Sequence, residues 1–118
     1  MAYDPGCTPI SSILDPLPGA TSIGYALTVR GWVRSRRDSK AGLSFIHLSD
    51  GSCFDLLQVV AEAALPNYEA EVMHLTTGCS IEVKGTIVAS QGAGQACEMH
   101  ADEIKVAIAV NLPRNPAW

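Results

Sequence analysis

The sequence predicts an all-β fold, a five-stranded barrel with Greek-key connections and one short helix between its third and fourth strands. Short runs of alternating apolar and polar residues, the pattern of strands with one buried face, recur from residue 25 onward. Turn residues separate these runs, and one intervening segment has helical spacing instead. A length of 118 residues accommodates a single domain. We therefore expect an N-terminal arm over 1–24, the barrel over 25–110 and a C-terminal tail over 111–118.

The arm and the first strand differ in pattern. The arm is rich in proline and glycine, which predicts irregular backbone with one helical turn near Ile10 to Leu14. From Tyr25 the chain alternates, so one side of the first strand is apolar and the other carries Arg30, Trp32 and Arg34. The next two strands are predicted from "LSFIHLSD" and "SCFDLLQVV", with the Asp50-Gly51 pair between them as a hairpin turn.

The second half of the barrel begins with the helical segment. "LPNYEAEVMHLTTG" places Tyr68, Val72 and Leu75 at helical spacing with Gly78 as a stop, which predicts a helix of about two turns. "SIEVKGTIVAS" alternates as a fourth strand, "QGAGQ" is a glycine loop, and "CEMHADEIKVAIAV" is a fifth strand. Three strands, a helix and two strands are the layout of the OB-fold, whereas an SH3-like barrel lacks this helix.

The basic residues concentrate in one stretch. "RGWVRSRRDSK" holds five of the eight lysines and arginines, although the whole chain has a net charge of −4. A local cation patch on an acidic body can still attract a phosphate chain, because binding depends on the potential over the contact face. The overall acidity disfavours broad binding to duplex DNA or RNA.

The predicted barrel gives this stretch a role, because OB-folds bind single-stranded nucleic acid across strands one to three. Phe45 at the start of strand two could stack on a base, and Gln58 on strand three offers a donor and an acceptor to a base edge. Each has an alternative: Phe45 as a core residue, and Gln58 as a partner of a backbone group. The candidates for phosphate contacts are Arg34, Arg36, Arg37 and Lys40. Alternatively, these side chains form an ordinary solvated surface, and Asp38 pairs with one of them.

Enzyme and metal signatures are missing from the sequence. No phosphate-loop, nucleophile-elbow or H-E-x-x-H motif occurs, so we expect no catalytic residues, and the glycine loop at 92–95 joins two strands rather than opening a helix. The four cysteines and three histidines lack metal-ligand spacing, so we expect no metal, no cofactor and free thiols. With neither a membrane-length apolar run nor a secretory leader, a cytoplasmic location without membrane association is expected.

Several motifs together resemble a known family. The stretches "TVRGWVRSRRDSKAGLSFIHLSDGSCFDLLQVV", "LTTGCSIEVKGTIVAS" and "GAGQACE" resemble the N-terminal anticodon-binding domain of bacterial-type asparaginyl-tRNA synthetases, a class IIb family. The resemblance runs from about Thr28 to Val110 and implies that Phe45 stacks on the central uridine of the anticodon while Gln58 hydrogen-bonds its edge. It also implies that Arg37 contacts the anticodon loop, that Arg36 assists on phosphates, and that Glu98 contacts a neighbouring base.

The expected function is therefore single-stranded RNA binding, as tRNA anticodon recognition, without catalysis in this chain. The resemblance leaves two origins open, a part of a synthetase and a stand-alone relative, and the class II catalytic motifs are absent from the sequence. The alternatives are a single-stranded DNA binder and a protein-interaction barrel, the latter favoured by the acidic total and by strand edges expected to be uncovered. The oligomeric state stays open, with a homodimer as one alternative.

Overall fold

The elements follow the expected order in a computed structural model that describes residues 7–14, 23–90 and 97–108. The 111–118 tail and the glycine loop at 92–95 lie outside the described residues. A short helix precedes the strands, and a single 3-10 turn lies between the third and fourth strands. The elements are α1 (Ile10–Ile13), β1 (Ala26–Asp38), β2 (Leu43–Ser49), β3 (Leu57–Glu62), the 3-10 turn (Val72–His74), β4 (Ser80–Ala89) and β5 (Cys97–Ile108).

The five strands form a closed barrel in the order β1-β2-β3-β5-β4, which confirms the predicted fold. β1 is long enough, at 13 residues, to pair with β2 through its second half and with β4 through its first half. The pairs are antiparallel except β3 with β5, which is parallel and joins Val59 to Met99 and Val60 to His100. Closure makes the expectation of uncovered strand edges wrong for the described strands, because each has a neighbour on both sides.

A bulge in β1 changes which arginines share a face. The predicted alternation holds as far as Val33, with Val29 and Val33 fully buried and Arg30 exposed. The register then shifts between Val33 and Ser35, and both Arg34 and Ser35 are exposed. A bulge adds one residue and reverses the side on which later residues point. Arg36 is consequently only partly exposed, while Arg37 lies on the outer surface.

The core consists of the inward faces of all five strands together with residues from the flanking segments. Ile10 and Ile13 of α1 are buried in it, which confirms the helical turn predicted in the arm. Asp50 fixes that turn, because its Oδ2 accepts a hydrogen bond of 2.9 Å from the backbone N–H of Ile10. Burial tends to raise the pKa of Asp50, but hydrogen bonds from Ser52 and from the Ile10 and Ser52 backbone outweigh it, so the pKa lies below its ordinary value.

The connection between β2 and β3 is longer than the predicted tight hairpin. Asp50 and Gly51 begin this connection, with Gly51 at φ 81°, but they form no tight hairpin turn, and β3 begins only at Leu57. The Asp50 carboxylate accepts hydrogen bonds from Ser52 N at 2.9 Å and Ser52 Oγ at 2.5 Å, in addition to the bond from α1. Because Asp50 and Ser52 are held by these bonds, they do not extend the β2–β3 pairing, and the loop covers 50–56.

The segment between β3 and β4 is less regular than the predicted two-turn helix. Tyr68, Val72 and Leu75 are buried as their spacing predicted. The backbone hydrogen bonds, however, do not keep one sequence separation. The N–H groups of Val72 and Met73 donate to carbonyl groups five residues earlier, whereas the N–H of His74 donates to Glu71, three residues earlier. Isolated helices this short are marginal, so packing against the barrel decides the backbone conformation.

Two strand glycines are required by close approach of a neighbouring strand. A Cβ at Gly31 would lie 2.5 Å from the carbonyl oxygen of Ser49 on β2. A Cβ at Gly85 would collide with the carbonyl oxygen of His100 on β5, where the β4–β5 register shifts. Both observations agree with the expectation that these bent strands leave no room for a side chain.

Candidate nucleic-acid interface

A row of hydrogen-bonded side chains crosses the outer surface of four neighbouring strands. Ser35 Oγ lies 3.2 Å from His47 Nδ1, and His47 Nε2 lies 3.2 Å from Gln58 Oε1. Gln58 Nε2 donates to Glu98 Oε1 at 3.1 Å, and His100 Nε2 lies 3.2 Å from Glu98 Oε2. The strand register explains the row, because His47 is the partner of both Ser35 on β1 and Gln58 on β3. We call these five residues the polar row.

The Glu98 carboxylate fixes the direction of each hydrogen bond in the polar row. A carboxylate only accepts, so the Gln58 atom beside it must be the NH₂ group and Oε1 must face His47. Since an amide oxygen also only accepts, His47 donates from Nε2, and its Nδ1 accepts the Ser35 hydroxyl proton in the neutral ring. His100 likewise donates from Nε2 to Glu98. Every donor in the polar row therefore points along the row toward the Glu98 carboxylate.

Phe45 lies beside the polar row and faces outward. Its neighbours Ser44 and Ile46 are fully buried, while Phe45 itself is half-buried, as alternation along β2 requires. The core alternative for Phe45 is therefore wrong. Phe45 and Gln58 are diagonal neighbours on adjacent strands, since Phe45 pairs with Val60 and His47 pairs with Gln58.

Three of the four basic candidates are exposed near this surface. Arg37 pairs with Phe45 across β1 and β2, and its guanidinium carbon lies 5.5 Å from the centroid of the Phe45 ring. Arg34 is exposed at the bulge, and Lys40 is exposed in the turn between β1 and β2. Among the described residues, no ion pair involves Arg34, Arg37 or Lys40.

Arg36 is not brought to this surface. Its Nη1 donates to Asp38 Oδ1 at 2.6 Å and its Nε donates to the carbonyl oxygen of Leu75 at 3.0 Å. This confirms that Asp38 pairs with one of the arginines. The hydrogen bonds from Arg36 and then from Ser44 hold the pKa of Asp38 below its ordinary value. Arg36 thus ties the end of β1 to the segment before β4.

Glu98 is only 9% exposed and lies at the centre of the bonding pattern. Besides Gln58 and His100, Ser90 Oγ donates to its Oε1 at 3.4 Å. Burial first, and the Glu98 charge second, raise the pKa of the neighbouring Cys97 thiol, so that thiol stays protonated. The structure therefore joins Glu98 to Gln58, and its carboxylate is largely satisfied within the protein.

The sequence did not single out Ser35, His47 or His100 as members of one network. Alternation could place His47 on the Phe45 side of β2, and His100 on the Glu98 side of β5. Their meeting depends on strand register, which the sequence pattern left unspecified. Within the described residues, no group of three or more His, Cys, Asp or Glu side chains could hold a metal ion.

Residues 27–107 match the tRNA anticodon family described as "OB-fold nucleic acid binding domain". The chain belongs to this family. Asparagine–tRNA ligase of Yersinia pestis is 60% identical over 94 residues, which are 80% of this chain and 20% of the ligase. The solved asparaginyl-tRNA synthetase of Entamoeba histolytica is 28% identical with a TM-score of 0.65, over 75% of this chain and 22% of its own. An OBody bound to hen egg-white lysozyme is 27% identical with a TM-score of 0.59, over 74% of this chain and 98% of the OBody.

These matches confirm the predicted OB-fold and the resemblance to the asparaginyl-tRNA synthetase domain. The chain spans 20% of the length of the curated relatives it matches, at their N-terminal end. The matched part is the anticodon-binding part, which is not catalytic. In the part of the chain that the structure describes, no helix of this OB-fold domain is long and apolar enough to cross a membrane.

Proposed function

We propose that this OB-fold domain binds the anticodon loop of a tRNA as single-stranded RNA and contributes recognition without bond-making chemistry. The observation that carries the proposal is the outward placement of Phe45 and Gln58 as diagonal neighbours, with Arg37 beside them. An aromatic ring, an amide and a cation are the groups that stack on a base, bond its edge and attract its phosphate.

Each group has a separate role in this proposal. The Phe45 ring stacks on an unpaired base, and base stacking on an aromatic side chain contributes about 1–3 kcal/mol. Gln58 forms hydrogen bonds with the Watson–Crick edge of that base. The exposed cations Arg34, Arg37 and Lys40 attract the phosphates around the loop, while Arg36 supports the position of β1.

The 60% identity to asparagine–tRNA ligase supports a GUU anticodon as the RNA target. Fluorescence anisotropy of a GUU anticodon stem-loop, titrated with the purified chain at two salt concentrations, tests the proposal. A stem-loop with GCU is the matched control, and the same loop as DNA separates RNA from single-stranded DNA recognition. Salt-sensitive binding that prefers GUU supports the proposal, and equal or absent binding to both RNAs contradicts it.

A second candidate is a protein-binding barrel. Trp32 favours it, because this large ring on the outer side of β1 is 52% exposed. The related OBody fold is bound to lysozyme, a protein. A titration in which neither RNA binds would favour this candidate. Under the RNA proposal, Trp32→Ala leaves the preference for GUU over GCU unchanged, because Trp32 lies outside the polar row.

A further inference from the structure

We infer that His47 and Glu98 are positioning residues that hold the Gln58 amide in one orientation, so that the site distinguishes uracil from cytosine. The inference rests on the proposed function, because it concerns how Gln58 recognises a base. It assigns His47 a role in specificity, and it assigns Glu98 a role in orienting Gln58.

A glutamine alone is poorly suited to this discrimination. Uracil presents the acceptor O4 beside the donor N3–H, whereas cytosine presents a donor amino group beside the acceptor N3. A glutamine amide carries a donor and an acceptor side by side and has nearly the same shape when rotated by 180°. One orientation fits uracil and the other fits cytosine. A freely rotating Gln58 would therefore bind both bases.

The polar row removes this freedom. In the observed orientation, Oε1 accepts from His47 Nε2 at 3.2 Å and Nε2 donates to Glu98 Oε1 at 3.1 Å. Rotation by 180° would place the NH₂ group against the His47 N–H and the amide oxygen against the Glu98 carboxylate. The contact with His47 would then join two donors unless the ring proton moved to Nδ1, and the contact with Glu98 would join two acceptors. Because Glu98 is only 9% exposed, water cannot readily relieve the second contact.

The two positioning residues are themselves held. The Ser35 hydroxyl lies 3.2 Å from His47 Nδ1 and can donate to it when the ring proton is on Nε2. Glu98 also accepts from Ser90 Oγ at 3.4 Å and lies 3.2 Å from His100 Nε2. Gln58 keeps one further N–H and one further lone pair, so a base can bind without breaking either internal bond. Binding then selects the base whose pattern matches the fixed amide.

A matched pair of His47 variants tests the inference. His47→Gln keeps a donor at about the distance of Nε2, whereas His47→Asn is too short to reach Gln58 while it remains polar. We expect His47→Asn to bind the GCU stem-loop about three- to tenfold more tightly than the wild type, the effect of one hydrogen bond, with little loss for GUU. His47→Gln should retain the wild-type preference. A merely structural role for His47 would weaken binding to both loops.

Glu98→Gln provides a second variant on the opposite side of the amide. Its side chain can both donate and accept, so it no longer dictates which Gln58 atom faces it. We expect tighter GCU binding in the same range as for His47→Asn. Far-UV circular dichroism and thermal unfolding establish that each variant is folded before its affinities are compared.

The protonation of His47 is measured without RNA, by the ¹⁵N chemical shifts of its ring nitrogens at neutral pH. A proton on Nε2 supports the inference, and a proton on Nδ1 overturns it whatever the RNA results. If the wild type prefers GUU and both His47→Asn and Glu98→Gln keep the full preference, the inference is overturned while the proposed function survives. If the wild type binds both loops equally, the proposed function fails and the discrimination assigned to His47 and Glu98 fails with it.

Discussion

The guanidinium carbon of Arg37 lies 5.5 Å from the centroid of the Phe45 ring, and the two residues pair across β1 and β2. A cation at this distance from an aromatic face is attracted by the ring's electrons. The contact restricts both side chains before any RNA arrives. Under the proposed function, less side-chain entropy would therefore be lost when a base and a phosphate bind them.

Replacement of Phe45 by alanine should abolish stacking while the fold survives. We expect binding to the GUU stem-loop to weaken by about 1–3 kcal/mol, because one base loses its aromatic partner. Since the ring is half-buried, the free energy of unfolding should fall by less than the about 3–5 kcal/mol typical of a core phenylalanine. Phe54→Ala is the matched control, because it removes the same ring from an exposed loop position. Equal weakening by both variants would contradict the role assigned to Phe45.

The dependence of RNA affinity on salt should reveal three phosphate contacts. With Arg34, Arg37 and Lys40 exposed and Arg36 bonded internally, a log–log plot of affinity against salt should have a slope of about −2 for single-stranded RNA. Lys40→Ala should reduce that slope by about 0.7, as the loss of one contact requires. Lys105→Ala, which removes an exposed lysine on β5, should leave it unchanged. A wild-type slope near zero would refute phosphate binding by this cluster.

Gly85→Ala should destabilise the barrel. The added methyl group would collide with the carbonyl oxygen of His100, a backbone atom that cannot rotate away. Overpacking of this kind costs about 1–3 kcal/mol, measurable by urea unfolding. Thr86→Ala at the next, half-buried position should change the free energy of unfolding by about 0.5 kcal/mol or less. An unchanged stability in Gly85→Ala would show that β4 and β5 can separate at no cost.

The attachment of α1 to the barrel should weaken in acid. The pKa of Asp50 is lower in the folded chain than its ordinary value of about 3.9, so its contribution to stability is full above that value and is lost as the pH falls through the folded pKa. Asp50→Asn should therefore lower the free energy of unfolding by about 1–2 kcal/mol at pH 7. Below the folded pKa the variant and the wild type should become equally stable. A difference that does not change with pH would contradict this role of the Asp50 charge.

Thiol labelling should divide the four cysteines into two pairs. Cys79 and Cys97 are buried and Cys7 and Cys53 are half-buried, so an aromatic disulfide reagent should label Cys7 and Cys53 first in the folded chain. The thiolate is the reactive form, and the raised pKa of Cys97 keeps that thiol protonated at neutral pH. All four should react in denaturant. Rapid labelling of Cys97 in the folded chain would contradict its burial in the core.

Alternation was sufficient to predict the strands, because each strand has one buried face, but it left open whether Phe45 of β2 faces the core or the surface. It could not predict the bulge after Val33, since a bulge depends on how two strands pair and the residues of one strand do not reveal it. That bulge is why Arg37 is exposed while Arg36 turns toward Leu75. The predicted barrel and the family resemblance both pointed to Phe45 and Gln58, but neither indicated which side chains surround them.

The predicted length of the helix before β4 was also too great, because contacts with a distant strand are not visible in the local sequence pattern. Its apolar spacing correctly predicted that Tyr68 and Val72 are buried. Asn67, however, donates to the carbonyl oxygen of Ile104 on β5 at 2.8 Å and to Glu71 Oε1 at 2.7 Å. These contacts fix the segment to the barrel at its start, and the remaining residues accommodate that position through irregular turns.

The parallel junction of β3 and β5 is the shortest in the barrel, with pairing at Val59 with Met99 and at Val60 with His100. The Gln58–Glu98 hydrogen bond crosses this junction just before the paired residues. Under the proposed function, the exposed aromatic and basic side chains would attract RNA whether or not this junction is closed. Selectivity for one base, by contrast, would require β3 and β5 to be paired, which makes it a sensitive indicator of a closed barrel.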